Sequence, residues 1–252
     1  SLNRKPGHAM LSNIDINKMN ELIEENKVAK QIISQLLENH HTIVSMIAHE
    51  IRNPLTLVSS SLQIMEKQHP EVREFYNWDQ TMEDVQFMCS LLNDLSSFNN
   101  SSTLHYSVFP IGQLLKNISV SFAISLNARN LGIEFSSKIP SDMGNYTGDK
   151  VKLEEVILNL LKNAREASGD TGHIFLSAER TKDTVVIRCA DNGCGIPKDI
   201  INTIFDPFVT YKENGTGLGL SSAKRIVEAH KGTIRAESSD ETGTVFTITL
   251  PV

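Results

Sequence analysis

Four short clusters in this 252-residue chain combine side chains that can do chemistry at workable spacing. The first is His49-Glu50-Ile51-Arg52-Asn53-Pro54-Leu55. On a helix turning about 100° per residue, His49 lies about 200° from both Ile47 and Ile51, so its imidazole points away from the apolar side. Asn53 falls one turn later on the same face. Glu50 can accept from one ring nitrogen and leave the other lone pair free. Pro54 cannot donate to the carbonyl of Glu50, which predicts a bend there. A single histidine on a surface helix is ordinarily just solvated; these neighbours make it a candidate nucleophile.

The second cluster is Glu155, Asn159 and Asn163, at i, i+4 and i+8. They lie opposite a stripe of Leu153, Val156, Ile157, Leu160, Leu161 and Ala164. Asparagine is a poor helix former, costing several tenths of a kcal/mol against alanine. Its amide oxygen is a hard neutral ligand, suited to a Mg²⁺ that also holds phosphate and water. The third is Asp191-Asn192-Gly193-Cys194-Gly195-Ile196-Pro197, after the strand-like Val185-Val186-Ile187. A carboxylate at a strand end can accept from an exocyclic amine, and the glycines let backbone approach a flat ligand. An Asn-Gly turn alone would carry no such meaning.

The fourth is Asn214-Gly215-Thr216-Gly217-Leu218-Gly219-Leu220, opening a helix. It offers backbone N–H groups and a positive dipole end to an anion such as a polyphosphate. Before it runs Phe205-Asp206-Pro207-Phe208-Val209-Thr210-Tyr211-Lys212, a polar loop between two aromatic anchors that can close as a lid. Lys212 would then reach a terminal phosphate. Thr242-Gly243-Thr244 is equally readable as a further ligand contact or a hairpin turn.

The composition is that of an ordinary globular protein, with 40% hydrophobic and 21% charged residues. A net charge of -6 argues against nucleic acid as a partner. No apolar run reaches the roughly 18 residues of a membrane span. Cys89, Cys189 and Cys194 lack paired spacing, which speaks for reduced thiols in a cytoplasmic setting and against a metal or redox role.

Glycine and proline usage divides the chain. Between Asn13 and Phe98 there is no glycine, and Leu37, Val44, Ile47, Ile51, Leu55, Val58, Leu62 and Met65 mark an amphipathic helix over about 13–68. His69-Pro70-Glu71 breaks it. A second helix is expected over Glu71–Phe98, with Phe75, Trp78, Met82, Val85, Met88, Leu92 and Leu95 at steps of 3 and 4. A helical hairpin leaves one seam open on each helix, which pairing into a homodimeric four-helix bundle would close.

The polar linker Asn99–Ser102 places a boundary, giving an all-α hairpin over 13–99 and a mixed domain over 100–252, with 1–12 a tag or disordered segment. In the second part we expect helices over 111–128, 151–167 and 218–230. Strands are expected near Val108 and over 132–138, 173–179, 184–190, 233–238 and 244–250. The mixture lacks strict βαβ alternation, so an α+β two-layer sandwich is expected.

In order, HEIRNPL, NLLKNA, DNGCGIP, FDPF, GTGLGL and GTVF resemble the H, N, G1, F, G2 and G3 boxes of sensor histidine kinases, over nearly the whole chain. The resemblance implies a dimerisation and histidine-phosphotransfer hairpin followed by an ATP-binding domain of the gyrase, Hsp90 and MutL type, with ATP and Mg²⁺ as cofactors. By position it makes His49 the phosphoacceptor, Glu50 its activating acid and Asn53 the residue that positions water for phosphatase action. Asn163, assisted by Asn159, would hold Mg²⁺, and Asp191 the adenine amino group. Gly193, Gly195, Ile196, Thr216, Gly217, Leu218, Gly219 and Thr244 would line the nucleotide, with Lys212 near its γ-phosphate.

At Arg165-Glu166 the chain departs from the pattern. Many members carry a lysine there that touches phosphate, so the departure shifts that work to Lys212. The NAREAS string is closer to nitrogen-regulation and sporulation-type kinases. The implied partners are a second copy and a response-regulator receiver domain. Any membrane attachment would come through a sensor region that this chain does not contain. A phosphotransfer scaffold without ATP chemistry and a MutL-like clamp are the rival readings; intact nucleotide boxes oppose the first, and the preceding hairpin with HEIRNP opposes the second.

Overall fold

A computed structural model describes residues 27–128, 132–169, 171–212, 215–239 and 242–252. The helix expected over 13–26, the segment 1–12, Asn214 and the side chain of Leu37 lie outside the described residues. The chain divides into two compact units, Ser1–Ile47 and Ala48–Val252. The first is described from Lys27 onward as helix, with Val28, Ile32, Leu36 and Ile43 exposed.

Helix α1 covers Lys27–Gln68 and runs on through Pro54. From Ala48 its less exposed residues follow steps of 3 and 4: Ala48, Arg52, Leu55, Ser59, Leu62 and Glu66. Helix α2, Trp78–Asn99, carries a matching series of Trp78, Met82, Val85, Cys89, Leu92, Ser96 and Asn99. The Arg52 guanidinium donates to the carbonyl of Leu92 at 3.1 Å and ties the two together.

The second helix begins later than expected. Pro70–Glu74 forms a separate 3-10 turn, and Asn77 adopts φ 70 immediately before Trp78. Proline suits the first position of that turn, and asparagine tolerates the left-handed conformation that resets chain direction. Phe75 therefore lies off the helix and is exposed.

After α2 come β1 (Ser107–Pro110), α3 (Ile111–Ala128), β2 (Gly132–Lys138), β3 (Asn145–Gly148) and α4 (Lys150–Ser168). Strands β4 (Thr171–Arg180) and β5 (Thr184–Asp191), helix α5 (Gly219–Ala229), and strands β6 (Thr233–Ser239) and β7 (Gly243–Pro251) complete the chain. The main sheet has the order β2-β4-β5-β7-β6; β2 and β4 are parallel, the other pairs antiparallel. Strands β1 and β3 form a separate antiparallel pair.

Alternation puts one face of the sheet into the core: Ile174, Leu176 and Ala178 on β4, Val185, Ile187 and Cys189 on β5, and Phe246, Ile248 and Leu250 on β7. Helices α3, α4 and α5 cover that face with Leu115, Ile118, Leu160, Leu161 and Ile226. This is the expected α+β two-layer sandwich. The same register sets Asp191 opposite Thr244 at the end of the core-facing row, so both are buried polar groups at the rim of the core.

Candidate functional site

Helix α4 is started by Asp149, whose carboxylate accepts from the Lys152 amide at 3.0 Å. The backbone N–H of His105 binds the same carboxylate at 2.7 Å, and both bonds favour its ionised form, so its pKa is lowered despite burial. With Leu153, Val156, Ile157, Leu160, Leu161 and Ala164 sealed into the core, the helix presents Asn159 and Asn163 half-buried on its other side. The Asn163 amide donates to Asn159 Oδ1 at 3.5 Å. Lys212 Nζ donates to Asn163 Oδ1 at 2.9 Å and also pairs with the Glu166 carboxylate. The asparagine oxygen is thus already aimed at a cation.

Glu155, the first member of the sequence row, is engaged elsewhere. It accepts from Ser97 on α2, from Lys152 at 3.1 Å and from Ser222 on α5 at 3.4 Å.

At the end of β5, the Asp191 carboxylate accepts from the Gly193 amide at 3.0 Å. Burial pushes its pKa up, while the Gly193 and Thr244 amides and the charge of Lys212 pull the other way without cancelling it. Gly193 has a packing reason to be glycine: a Cβ there would lie 2.4 Å from the Ala167 carbonyl oxygen. Ile196 donates its backbone N–H to Ser238 Oγ at 2.7 Å, and that hydroxyl also meets Thr244 Oγ1 at 3.0 Å and the Gly243 carbonyl at 3.0 Å. Ser238 therefore ties the Asp191 turn to the β6–β7 pair.

The glycine loop enters α5 at Gly219, where a Cβ would meet Asn159 Oδ1 at 2.7 Å. That contact sets the loop against the asparagine row. Leu218 is wholly buried, so only its backbone faces the loop; its N–H lies 3.4 Å from Thr216 Oγ1. Thr216 Oγ1 in turn donates to Asp94 Oδ2 on α2 at 2.6 Å.

Of the two aromatic anchors, Phe205 packs edge-on to Phe246 with centroids 6.3 Å apart. Phe208 is exposed at φ 63, its N–H donating to the Gly217 carbonyl at 2.9 Å. The expected second anchor is thus held by its backbone, and its ring lies in solvent.

His49 stands on α1 with its side chain 63% exposed. Its Nδ1 lies 3.5 Å from the Asn53 amide nitrogen and 4.0 Å from the Glu50 carboxylate, so the polar neighbours sit at that nitrogen. Of the thiols, Cys189 is buried with its pKa pushed up to about 12, which keeps it protonated and inert; Cys194 is exposed.

Residues 148–252 match the family model described as histidine kinase-, DNA gyrase B-, and HSP90-like ATPase. Sporulation kinase C of Bacillus subtilis (strain 168) is 33% identical over 92% of this chain and 53% of its own length. A structure of the catalytic domain of histidine kinase ThkA is 31% identical over 95% of that domain and 58% of this chain, with a TM-score of 0.52. The chain belongs to the histidine kinase family. A second structure, of ThkA in complex with the response regulator protein TrrA, covers 92% of this chain and 66% of that chain at 25% identity and a TM-score of 0.59. The chain spans about half the length of sporulation kinase C and 38% of sporulation kinase A.

In this chain, Asn159, Asn163, Lys212 and the loop at Gly219 come together around α4, while Asp191, Gly193, Ile196 and Thr244 gather at the ends of β5 and β7. His49, Glu50 and Asn53 stand apart on the hairpin. Two residues of the site had no local signal. Ser238 is an unremarkable strand end, and Asp94 contacts Thr216 across 122 positions of sequence.

Proposed function

We propose that this chain phosphorylates itself on His49 from Mg·ATP and passes the phosphoryl group to an aspartate of a response-regulator receiver domain. The observation that carries the reading is the open imidazole. With Nδ1 protonated toward the Glu50 carboxylate 4.0 Å away, the tautomer in which the Asn53 amide nitrogen makes no bond to that atom, the Nε2 lone pair is free for in-line attack on the γ-phosphorus. The N–P bond forms as the bond to the β–γ bridging oxygen breaks and ADP leaves. Glu50 offsets the positive charge that the ring acquires.

The transition state is loose, so the protein's task is positioning and charge neutralisation. Asp191 accepts from the adenine amine, the loop amides around Gly217 and Gly219 meet the phosphates, and Lys212 meets the γ-phosphoryl oxygens. The residues fit a Mg²⁺ ion, because Asn163 Oδ1 already takes an ammonium donor and Asn159 stands one turn away. When bound, the ion neutralises charge on the phosphates. Asn53 orients water for a separate phosphatase reaction, in which the aspartyl phosphate of the partner is hydrolysed to inorganic phosphate.

The exposed line Ile47, Ile51, Val58 and Met65 on α1 supports pairing of two copies through the hairpin. The complex of ThkA with a response regulator supports the receiver partner. Among the described residues no helix is long and apolar enough to cross a membrane. Incubation with γ-labelled ATP tests the reading: acid-labile, base-stable label is expected on the wild type and none on His49→Gln, which should still bind nucleotide. Label on that variant overturns the assignment.

A further inference from the structure

Glu166 occupies a position where the family pattern leads one to expect a cation, yet it sits three residues beyond Asn163 on the same side of α4. Its carboxylate is held from two sides. One oxygen meets Lys212 Nζ, and the other lies 3.7 Å from the Arg165 guanidinium. Lys212 Nζ is shared between this carboxylate and Asn163 Oδ1. The lysine backbone is braced as well: its N–H donates to Thr210 Oγ1 at 3.2 Å, and its carbonyl accepts from Gly215 at 3.2 Å. A long flexible side chain on a lid loop is thereby brought onto the last turns of the asparagine helix.

We infer that Glu166 is a positioning residue for phosphoryl transfer: it anchors Lys212 beside Asn163, so that the cation meeting the γ-phosphate comes from the lid and not from α4. This deepens the reading above and rests on it. A bare carboxylate next to a triphosphate would repel it. Flanked by Arg165 and Lys212, the trio carries net charge +1, and Glu166 orients that charge without cancelling it. An exposed ion pair adds little to stability, so its value here is geometric. A lysine side chain released from its anchor samples many rotamers, and misplacing a charge by an ångström or so costs up to about a hundredfold in rate.

The arrangement predicts a non-additive pattern in the kinetics of γ-labelled ATP transfer to His49. Glu166→Gln should lower kcat about tenfold with KM for ATP changed less than about threefold, and Glu166→Asp should recover part of the loss. Lys212→Met in the wild-type background should cost about a hundredfold. In Glu166→Lys, which returns the cation to the helix, the same Lys212→Met change should cost less than about fivefold. Fluorescent-ATP binding by each variant checks that the domain is folded. Equal cost of Lys212→Met in both backgrounds, or an unchanged kcat in Glu166→Gln, overturns the inference while leaving the kinase reading intact. A wild-type protein that takes no label overturns both.

Discussion

Ile51, Val58 and Met65 on α1 remain about half exposed, at 50%, 48% and 50%, whereas Leu161 on α4 and Ile187 on β5 are sealed at 0% and 3%. The two regions bury apolar surface by different means. The sandwich closes its own core, with three helices over one face of a five-stranded sheet. The hairpin has one seam and leaves an apolar line uncovered. Among the described residues, the buried polar side-chain atoms without a partner, Arg52 Nε and Trp78 Nε1, are both in the hairpin. The chemistry follows that division. The groups proposed to face nucleotide stand on the sandwich, where distances are fixed by packing, and the proposed nucleophile stands on the hairpin, which leaves its apolar line exposed.

The largest test of this contrast is a truncation in each region. Leu161→Ala should cost the sandwich about 3 kcal/mol, because a fully buried leucine leaves a cavity that cannot collapse. Ile51→Ala should cost an isolated chain well under about 0.5 kcal/mol, as expected of an exposed position. Urea unfolding of the two variants at low protein concentration measures both. A similar loss from each would show that the hairpin line is already covered within one chain.

Next in size is a charge on that line. Val58→Glu should weaken dimerisation about thirtyfold, near 2 kcal/mol, since a carboxylate would have to be desolvated in the new seam. Light scattering over a dilution series reads this directly, and an unchanged dissociation constant removes the line from the dimer interface.

A third prediction separates stability from binding inside the sandwich. Burial raises the pKa of Asp191, so the fold prefers its protonated form. Its contribution to stability is present below the free-chain value and is lost as pH rises through the raised one. Asp191→Asn should leave the nucleotide-free domain as stable at pH 7, or slightly more so, and should flatten that part of the pH profile. Its affinity for ATP should fall about tenfold, through loss of the charged acceptor. Melting curves and fluorescent-ATP titration check the two halves. A variant that is destabilised and still binds normally would reverse the roles assigned here.

How far the sequence discloses this arrangement depends on how local each feature is. The stripe from Leu153 to Ala164 and the alternation along β4, β5 and β7 are periodic signals, and these elements form where periodicity places them. Strand β3 gave no signal: Asn145-Tyr-Thr-Gly is short, turn-like in composition, and forms because Phe109 and Tyr146 pair across β1. The continuous 3-and-4 pattern puts the start of α2 at Glu71, but one left-handed asparagine, Asn77, outweighs it and the helix starts at Trp78. In the site, the motif residues are runs of neighbours and stand out. Ser238 and Asp94 act across the fold, and the spacing of a single sequence carries no trace of such contacts.

The smallest effect concerns the end of the hairpin that touches the sandwich. Asp94 accepts from Thr216, Ser97 from the same helix donates to Glu155, and Phe98 lies under the Arg225 guanidinium at 4.5 Å. Three contacts at i, i+3 and i+4 on α2 thus seat it on α4, α5 and the glycine loop. The Asp94 charge is unusual among them, because the loop it touches is the one that would receive phosphates. On the proposed reading, bound nucleotide would bring negative charge to the Gly217 and Gly219 amides, and Asp94 would then oppose it. Asp94→Asn keeps an acceptor for Thr216 and removes the charge, so affinity for ATP should rise about threefold at low salt and less at high salt, as exposed charges are screened. Titration at two ionic strengths decides it. Equal affinity of variant and wild type at low salt would show that the hairpin end and the nucleotide loop do not communicate through this carboxylate. The two regions would then be joined by packing alone.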